Sequence, residues 1–198
     1  MFDSRDPAAP AFWSERFERA YTPWDLGGVP AALREFVAQS PRSYVTLIPG
    51  CGTGHEVACL SQAGWDVTAI DFSGAAVAAA RQTLGPLGDR VVEADFFSFV
   101  PPRQVELIYE RAFFCALPAR MRQDVVKRWA ALLPPGGLLA GFFYFDDAPK
   151  GPPFGIMPTD LEALLSPYFE RIADEPVSDS LPVFAGKERW QVWRRRTT

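Results

Sequence analysis

A short apolar run, Tyr44 to Ile48, opens directly into Pro49-Gly50-Cys51-Gly52-Thr53-Gly54. This junction constrains the fold more than any other stretch of the chain. Glycines here let the backbone turn sharply and approach a ligand with no Cβ in the way. A helical segment, His55 to Ala63, follows and stops at Gly64. The alternation then continues. Trp65 to Ile70 reads as a strand ending in Asp71, and Ser73 caps an alanine-rich helix that runs to about Leu84. Arg90 to Ala94 is a strand ending in Asp95, and Val105 to Tyr109 one ending in Glu110. Pro118 to Leu133 is a helix, stopped by Pro134-Pro135-Gly136-Gly137, and Leu138 to Phe145 is a long apolar strand. Thr159 caps a helix to about Tyr168. Two helices, Phe12 to Ala20 and Pro30 to Gln39, precede the alternation, with Pro30 suited to a first turn. Apolar strands alternating with helices imply an α/β fold, a mostly parallel sheet covered on both faces. Glu170–Val177 and Arg189–Arg195 have no helix between them, so they should pair antiparallel at one edge.

The length, 198 residues with 48% hydrophobic, suits one compact domain over 1–198. A formal net charge of −4 argues against a nucleic-acid partner. Arg194-Arg195-Arg196 reads as a solvated strand end. Three cysteines, Cys51, Cys59 and Cys115, form no CxxC pair, which argues against a disulfide framework and fits a reducing compartment. Met1 to Pro10 lacks an apolar signal core, and no apolar run approaches the roughly 18 residues of a membrane span. These features imply a soluble, cytoplasmic protein without a membrane partner. No Cys/His cluster has metal-ligand spacing, so no metal is expected. Oligomeric state is not legible here; a monomer is compatible with the sequence. Aromatics are frequent, with 16 Phe and 6 Trp, which favours a pocket for a flat or apolar small molecule.

In such a sheet, ligands sit outside the carboxyl ends of the strands. Four strand ends carry chemistry: the loop of Gly50, Gly52 and Gly54; Asp71, placed to accept both hydroxyls of a ribose; Asp95 with Phe96 and Phe97, able to receive an adenine amino group and cover its face; and Glu110-Arg111 followed by Phe113-Phe114. Together they describe a nucleoside site. A dinucleotide fingerprint GxGxxG would put its last glycine at His55, and this loop instead reads Gly50-x-Gly52-x-Gly54. A ligand without pyrophosphate, such as S-adenosylmethionine, fits better.

Thr22-Pro23-Trp24-Asp25, the stretch Pro49 to Val57, Asp95-Phe96-Phe97, Phe113-Phe114-Cys115-Ala116-Leu117 and Gly151-Pro152-Pro153-Phe154 occur in order. This series resembles the thiopurine S-methyltransferase family, in particular its bacterial members and the plant halide and thiol methyltransferases. The resemblance implies a Rossmann-like class I methyltransferase fold, a seven-stranded sheet in the order 3-2-1-4-5-7-6 with strand 7 antiparallel. It implies an N-terminal lid segment, residues 1–28, carrying Phe12, Trp13 and Trp24 over the cofactor. Gly50, with Gly52 and Gly54, would lie along the methionine part; Asp71 with Phe72 at the ribose; Asp95 and Phe96 at the adenine. Glu110 and Arg111 would border the methyl group, touching cofactor and substrate respectively.

Methyl transfer from a sulfonium to a thiolate, selenolate or halide needs no proton removed at the moment of attack. The single histidine, His55, reads as a helix-start residue, which leaves no evident His base. Arg111 is the expected cation for an anionic acceptor, and a nearby cation lowers a thiol's pKa. Phe12, Phe114 and Phe154 are expected to wall the substrate. Glu110 or Tyr21 would be the base if the acceptor were instead a neutral hydroxyl or amine. A nicotinamide-dependent reductase and a non-catalytic S-adenosylmethionine sensor are the readings from other classes. The glycine spacing opposes the first, and the second would bind cofactor without turnover.

Overall fold

A computed structural model describes residues 2–197; Met1 and Thr198, the ends of the expected domain, lie outside the described residues. Seven strands form one sheet in the order β3-β2-β1-β4-β5-β7-β6. They are β1 (Val45–Pro49), β2 (Asp66–Asp71), β3 (Val91–Glu93), β4 (Leu107–Arg111), β5 (Leu138–Tyr144), β6 (Phe169–Pro176) and β7 (Glu188–Arg195). The pairs among β1 to β5 are parallel, and β7 runs antiparallel to both β5 and β6. The fold is that of a class I Rossmann-like methyltransferase, as the motif resemblance implies.

The helices are α1 (Pro10–Glu18), α2 (Ala31–Gln39), α3 (His55–Gln62), α4 (Gly74–Leu84), α5 (Arg122–Leu132) and α6 (Pro158–Leu165). One face of the sheet buries Leu33, Val57, Leu60 and Val77 of α2 to α4 against Leu107, Tyr109, Phe142 and Trp190. The other buries Val125, Trp129, Leu161 and Leu165 of α5 and α6 against Ile108, Leu139, Phe143 and Trp193. Two covered faces explain why the central strands read as continuous apolar runs rather than alternating ones.

The expected cap at Ser73 is present: its Oγ accepts from the Ala76 amide at 3.2 Å. Other boundaries differ. Thr159 does not cap α6, because Pro158 takes the first turn and Met157 precedes it. That helix ends at Leu165, since Phe169 is drawn into β6 and buried. A short 3-10 turn at Ala119–Met121 replaces the expected start of α5, and another at Phe114–Ala116 precedes it. The last two strands do pair antiparallel, but only β6 is an edge. Tryptophans on both faces of β7 (Trp190 and Trp193) are buried, so it belongs in the interior, whereas β6 is mostly exposed and charged, as suits an edge. The arginine run at the end of β7 is not merely solvated. Arg195 donates to the Ala130 and Tyr168 carbonyls, and Arg196 to those of Ser166 and Phe169; Ala130 and Ser166 are acceptors that the ends of α5 and α6 leave free.

Among the described residues no helix is long and apolar enough to cross a membrane.

Candidate active site

A cavity of about 1040 Å³ opens at the carboxyl ends of β1 to β4. Gly50, Gly52 and Gly54 form its first wall and the turn behind it, with φ of +60°, +53° and +73°. That is the left-handed region, where a side chain is strained. A Cβ on Gly50 would also lie 2.7 Å from Cδ2 of Phe113. Gly54 turns away from the cavity: it caps α3 and faces Leu84 and Ala80. Its expected place on the cofactor wall is therefore corrected, since its backbone serves the join between loop and helix.

Asp71 lines the cavity and is 8% exposed. Its carboxylate accepts from the Gly52 amide at 3.2 Å and the Ser73 amide at 2.9 Å. Burial pushes its pKa up to about 6, against the pull of those amides. Asp95 is exposed at the cavity rim, where its carboxylate accepts from the Phe97 amide at 2.9 Å. Phe96 is buried beside it, edge-on to both Phe97 and Phe113. Phe72 lines the same region.

The residues at the end of β4 separate sharply. Arg111 lines the cavity with its side chain 9% exposed. Both Nη atoms lack a hydrogen-bond partner, its Nε lies 4.0 Å from Oε1 of Glu56, and its Cζ stands 4.7 Å from the ring of Phe142. Burial raises the pKa of Glu56, and the Arg111 charge opposes that shift. Glu110 does not line the cavity. It is 1% exposed, and Oε1 accepts from the Phe114 amide at 2.6 Å while Oε2 is unpartnered. Burial pushes Glu110 up to about 8, so it is held neutral. The expected cofactor contact and basic role of Glu110 are corrected accordingly, because adjacent strand residues point to opposite faces.

Phe12, Trp13 and Trp24 are among the residues that line the cavity. Trp13 and Trp24 meet edge-on at 5.3 Å, and the Arg16 guanidinium stacks on Phe12 at 3.2 Å. Polar contacts from Ser14 and Asp25 tie the segment down. Ser14 and Ser73 share a hydrogen bond of 2.9 Å. Asp25 accepts from the Thr53 hydroxyl at 2.8 Å and the Gly27 amide at 2.8 Å, and lies 3.2 Å from Nε2 of His55. His55 thus does more than begin a helix.

Phe114 and Phe154 do not face the cavity. Phe114 packs on Trp129 at 5.2 Å in the core, and the Phe154 ring folds back over Gly151. Phe113, Cys115, Pro152, Pro153 and Phe184 occupy the wall instead. Sequence reasoning missed Glu56 and Phe184. An acid at the start of the helix after the glycine loop was a usable signal for Glu56. Phe184 comes from the β6–β7 connection and carries none. Cys51 and Cys115 are buried with thiol pKa values pushed well above the usual range by desolvation, which makes them poor nucleophiles. Among the described residues no group of three or more His, Cys, Asp or Glu side chains is placed to hold a metal ion.

The donor set fits an adenosyl ligand: carboxylates at β2 and β3, aromatic faces, open glycine backbone, and a cavity at the upper end of the roughly 300–1,000 Å³ typical of small-molecule sites. Residues 8–196 match the family model of thiopurine S-methyltransferase. The chain belongs to the thiopurine S-methyltransferase family. It is an S-adenosylmethionine-dependent methyltransferase. Thiocyanate methyltransferase 1 of Arabidopsis thaliana is 31% identical over 190 residues, covering 92% of this chain and 84% of that protein. Thiopurine S-methyltransferase of Shewanella denitrificans is 29% identical, covering 90% and 93%. Among solved structures, the 1,6-didemethyltoxoflavin-N1-methyltransferase of Burkholderia thailandensis, bound to S-adenosylhomocysteine, aligns with a TM-score of 0.73 at 17% identity, over 94% of this chain and 87% of that one. The magnesium protoporphyrin IX methyltransferase of Synechocystis, bound to S-adenosylmethionine, gives 0.73 at 14% identity, over 98% and 100%. At those identities the two structures share the fold.

Proposed function

We propose that this member of the thiopurine S-methyltransferase family methylates a small soft nucleophile: a thiol, thiopurine, selenium species or halide. The observation that carries this reading is Arg111, a cation whose residue lines the cavity and whose Nη atoms, buried behind that wall, have no hydrogen-bond partner. A buried guanidinium whose nearest carboxylate, Glu56, stands 4.0 Å from its Nε keeps donor capacity on its Nη atoms and favours an anionic ligand. The acceptor names of the Arabidopsis and Shewanella relatives, thiocyanate and thiopurine, support the same class.

Bound S-adenosylmethionine supplies a methyl group already activated by the sulfonium charge. The chain's part is binding, orientation and exclusion of water, and positioning of this kind supplies roughly 7–11 kcal/mol in favourable cases. Asp71 with Phe72 beside it accepts the ribose hydroxyls, Gly50 and Gly52 leave room for the methionine chain, and Asp95 with Phe96 holds the adenine. Trp13 and Trp24 close the site from water. Arg111 attracts the acceptor and holds it ionised, so no side chain need take a proton. The single histidine pairs with Asp25 in the contact that ties the N-terminal segment to the glycine loop. One observation favours O- or N-methylation as a second reading: Glu56 is a cavity carboxylate with a raised pKa, the profile of a general base.

The test is S-adenosylhomocysteine release with hydrosulfide, thiophenol, a thiopurine, selenide, iodide, a phenol and an amine. Turnover confined to the sulfur, selenium or halide acceptors is expected. Turnover of only the phenol or the amine would transfer the assignment to the second reading and to Glu56.

A further inference from the structure

The connection from β5 to α6 forms part of the cavity wall through Gly151, Pro152 and Pro153. Three contacts fix it. Phe145 bridges to Ile156. The Phe154 amide donates to the Cys115 carbonyl at 2.6 Å. Arg122, the first residue of α5, donates through Nη2 to the Phe154 carbonyl at 3.2 Å and to the Gly155 carbonyl. The guanidinium also stands 5.9 Å from the Phe114 ring. Burial lowers its pKa, so the charge is partly desolvated where its bonds go to backbone carbonyls.

That use of an arginine is specific. One nitrogen, Nη2, carries two hydrogens and reaches two successive carbonyls, and the charge it shares strengthens both bonds. The two carbonyls follow directly on the two prolines that face the cavity. Proline has no amide hydrogen, so Pro152 and Pro153 cannot anchor themselves through backbone donors. Their position therefore depends on the residues after them, and Arg122 holds those. The cavity-facing side of the same corner, at Cys115 and Leu117, is tied in through the Phe154 amide.

We propose that Arg122 is the positioning residue of the acceptor wall, and that its hold on the Phe154 and Gly155 carbonyls determines how well a bulky, apolar acceptor is seated. This rests on the methyltransferase reading of the site. It does not depend on which nucleophile is methylated. A small acceptor needs only the methyl-donor geometry, whereas an aromatic one needs the proline wall in place.

The experiment compares wild type, Arg122→Met and Arg122→Lys by calorimetric titration with S-adenosylhomocysteine, thermal melting, and kcat/KM for thiophenol and hydrosulfide. In Arg122→Met, kcat/KM for thiophenol should fall about tenfold to a hundredfold, as expected for losing charged hydrogen bonds, mainly through KM. Hydrosulfide turnover and S-adenosylhomocysteine affinity should hold, and Lys should restore part of the loss. An equal fall for both acceptors, or an unchanged ratio between them, would overturn the proposal. If phenols or amines prove to be the acceptors, the same ratio is read between a large and a small member of that class. The soft-nucleophile reading then fails while the wall proposal is still decided.

Discussion

The Gly52 amide donates to the Asp71 carboxylate at 3.2 Å, so the glycine loop after β1 is held by the end of β2. The cofactor wall is thus braced by the group proposed to bind ribose. Asp71 has a folded pKa of about 6, above its ordinary 3.8, because burial disfavours the charge. Only the ionised form accepts both ribose hydroxyls. S-adenosylhomocysteine affinity should therefore be flat above pH 6 and fall about tenfold per pH unit below it, as one-proton linkage requires. Asp71→Asn should bind about five- to 150-fold more weakly, the equivalent of about 1–3 kcal/mol, and lose that pH dependence. Calorimetric titrations from pH 5 to 8 check both; an unchanged affinity in the folded variant would remove Asp71 from the ribose.

Glu110 makes a stability prediction. Its folded pKa of about 8 lies above the ordinary 4.5. The folded state therefore binds its proton more tightly than the unfolded chain, and stability contributed by this group declines as pH rises from 4.5 to 8, then levels off. Glu110→Gln keeps an acceptor for the Phe114 amide and cannot ionise. It should be more stable than wild type at pH 9, with that pH slope removed and methyl transfer retained. Glu110→Ala orphans the buried Phe114 amide and should cost about 1–3 kcal/mol. Chemical denaturation across pH, with turnover measured alongside, separates these outcomes from a catalytic role.

The contrast between Glu110 and Arg111 also shows where the sequence stops being legible. Each strand end, the Ser73 cap and the glycine loop are local features, written in adjacent residues, and the structure has them. Which of two neighbouring strand residues faces a ligand depends on register and on what covers each sheet face, and no local pattern encodes that. Glu110 falls on the face packed by Phe114 and Phe143; Arg111 falls on the face of Glu56 and Phe142. Phe154 fails for a related reason: the spacing of Gly151 to Phe154 marks a loop at the site but not which ring turns outward. Phe184 enters from a connection more than 70 residues beyond Phe113 in sequence, a juxtaposition that only the sheet order creates.

Arg111→Met should leave S-adenosylhomocysteine affinity intact and lower kcat/KM for anionic acceptors about tenfold to a hundredfold, the range for hydrogen bonds to charged groups. Removing the arginine also leaves Glu56 without its cation. Glu56→Gln is therefore the informative companion: it deletes a negative charge facing the acceptor, and anionic acceptors should then be used better. Steady-state kinetics with thiophenol and iodide give the comparison. Loss of activity in Glu56→Gln would instead mark that carboxylate as a base and support O- or N-methylation.

Asp25 joins the N-terminal segment to the glycine loop through Thr53 and approaches His55. Trp24, the preceding residue, packs against Trp13, and both line the cavity. If product leaves by the lifting of that cover, the barrier includes breaking the Asp25 contacts. Asp25→Ala removes the acceptor for the Thr53 hydroxyl and the Gly27 amide together. Losing bonds to a charged group of this kind is worth about 1.5–3 kcal/mol, so S-adenosylhomocysteine should dissociate about tenfold to a hundredfold faster. Stopped-flow tryptophan fluorescence reads the rate directly, and Thr53→Val should give a smaller change in the same direction. If release limits turnover, kcat in Asp25→Ala rises at saturating cofactor while the cofactor KM worsens. If dissociation is unchanged in both variants, the segment is a fixed wall and the product leaves by another side of the cavity.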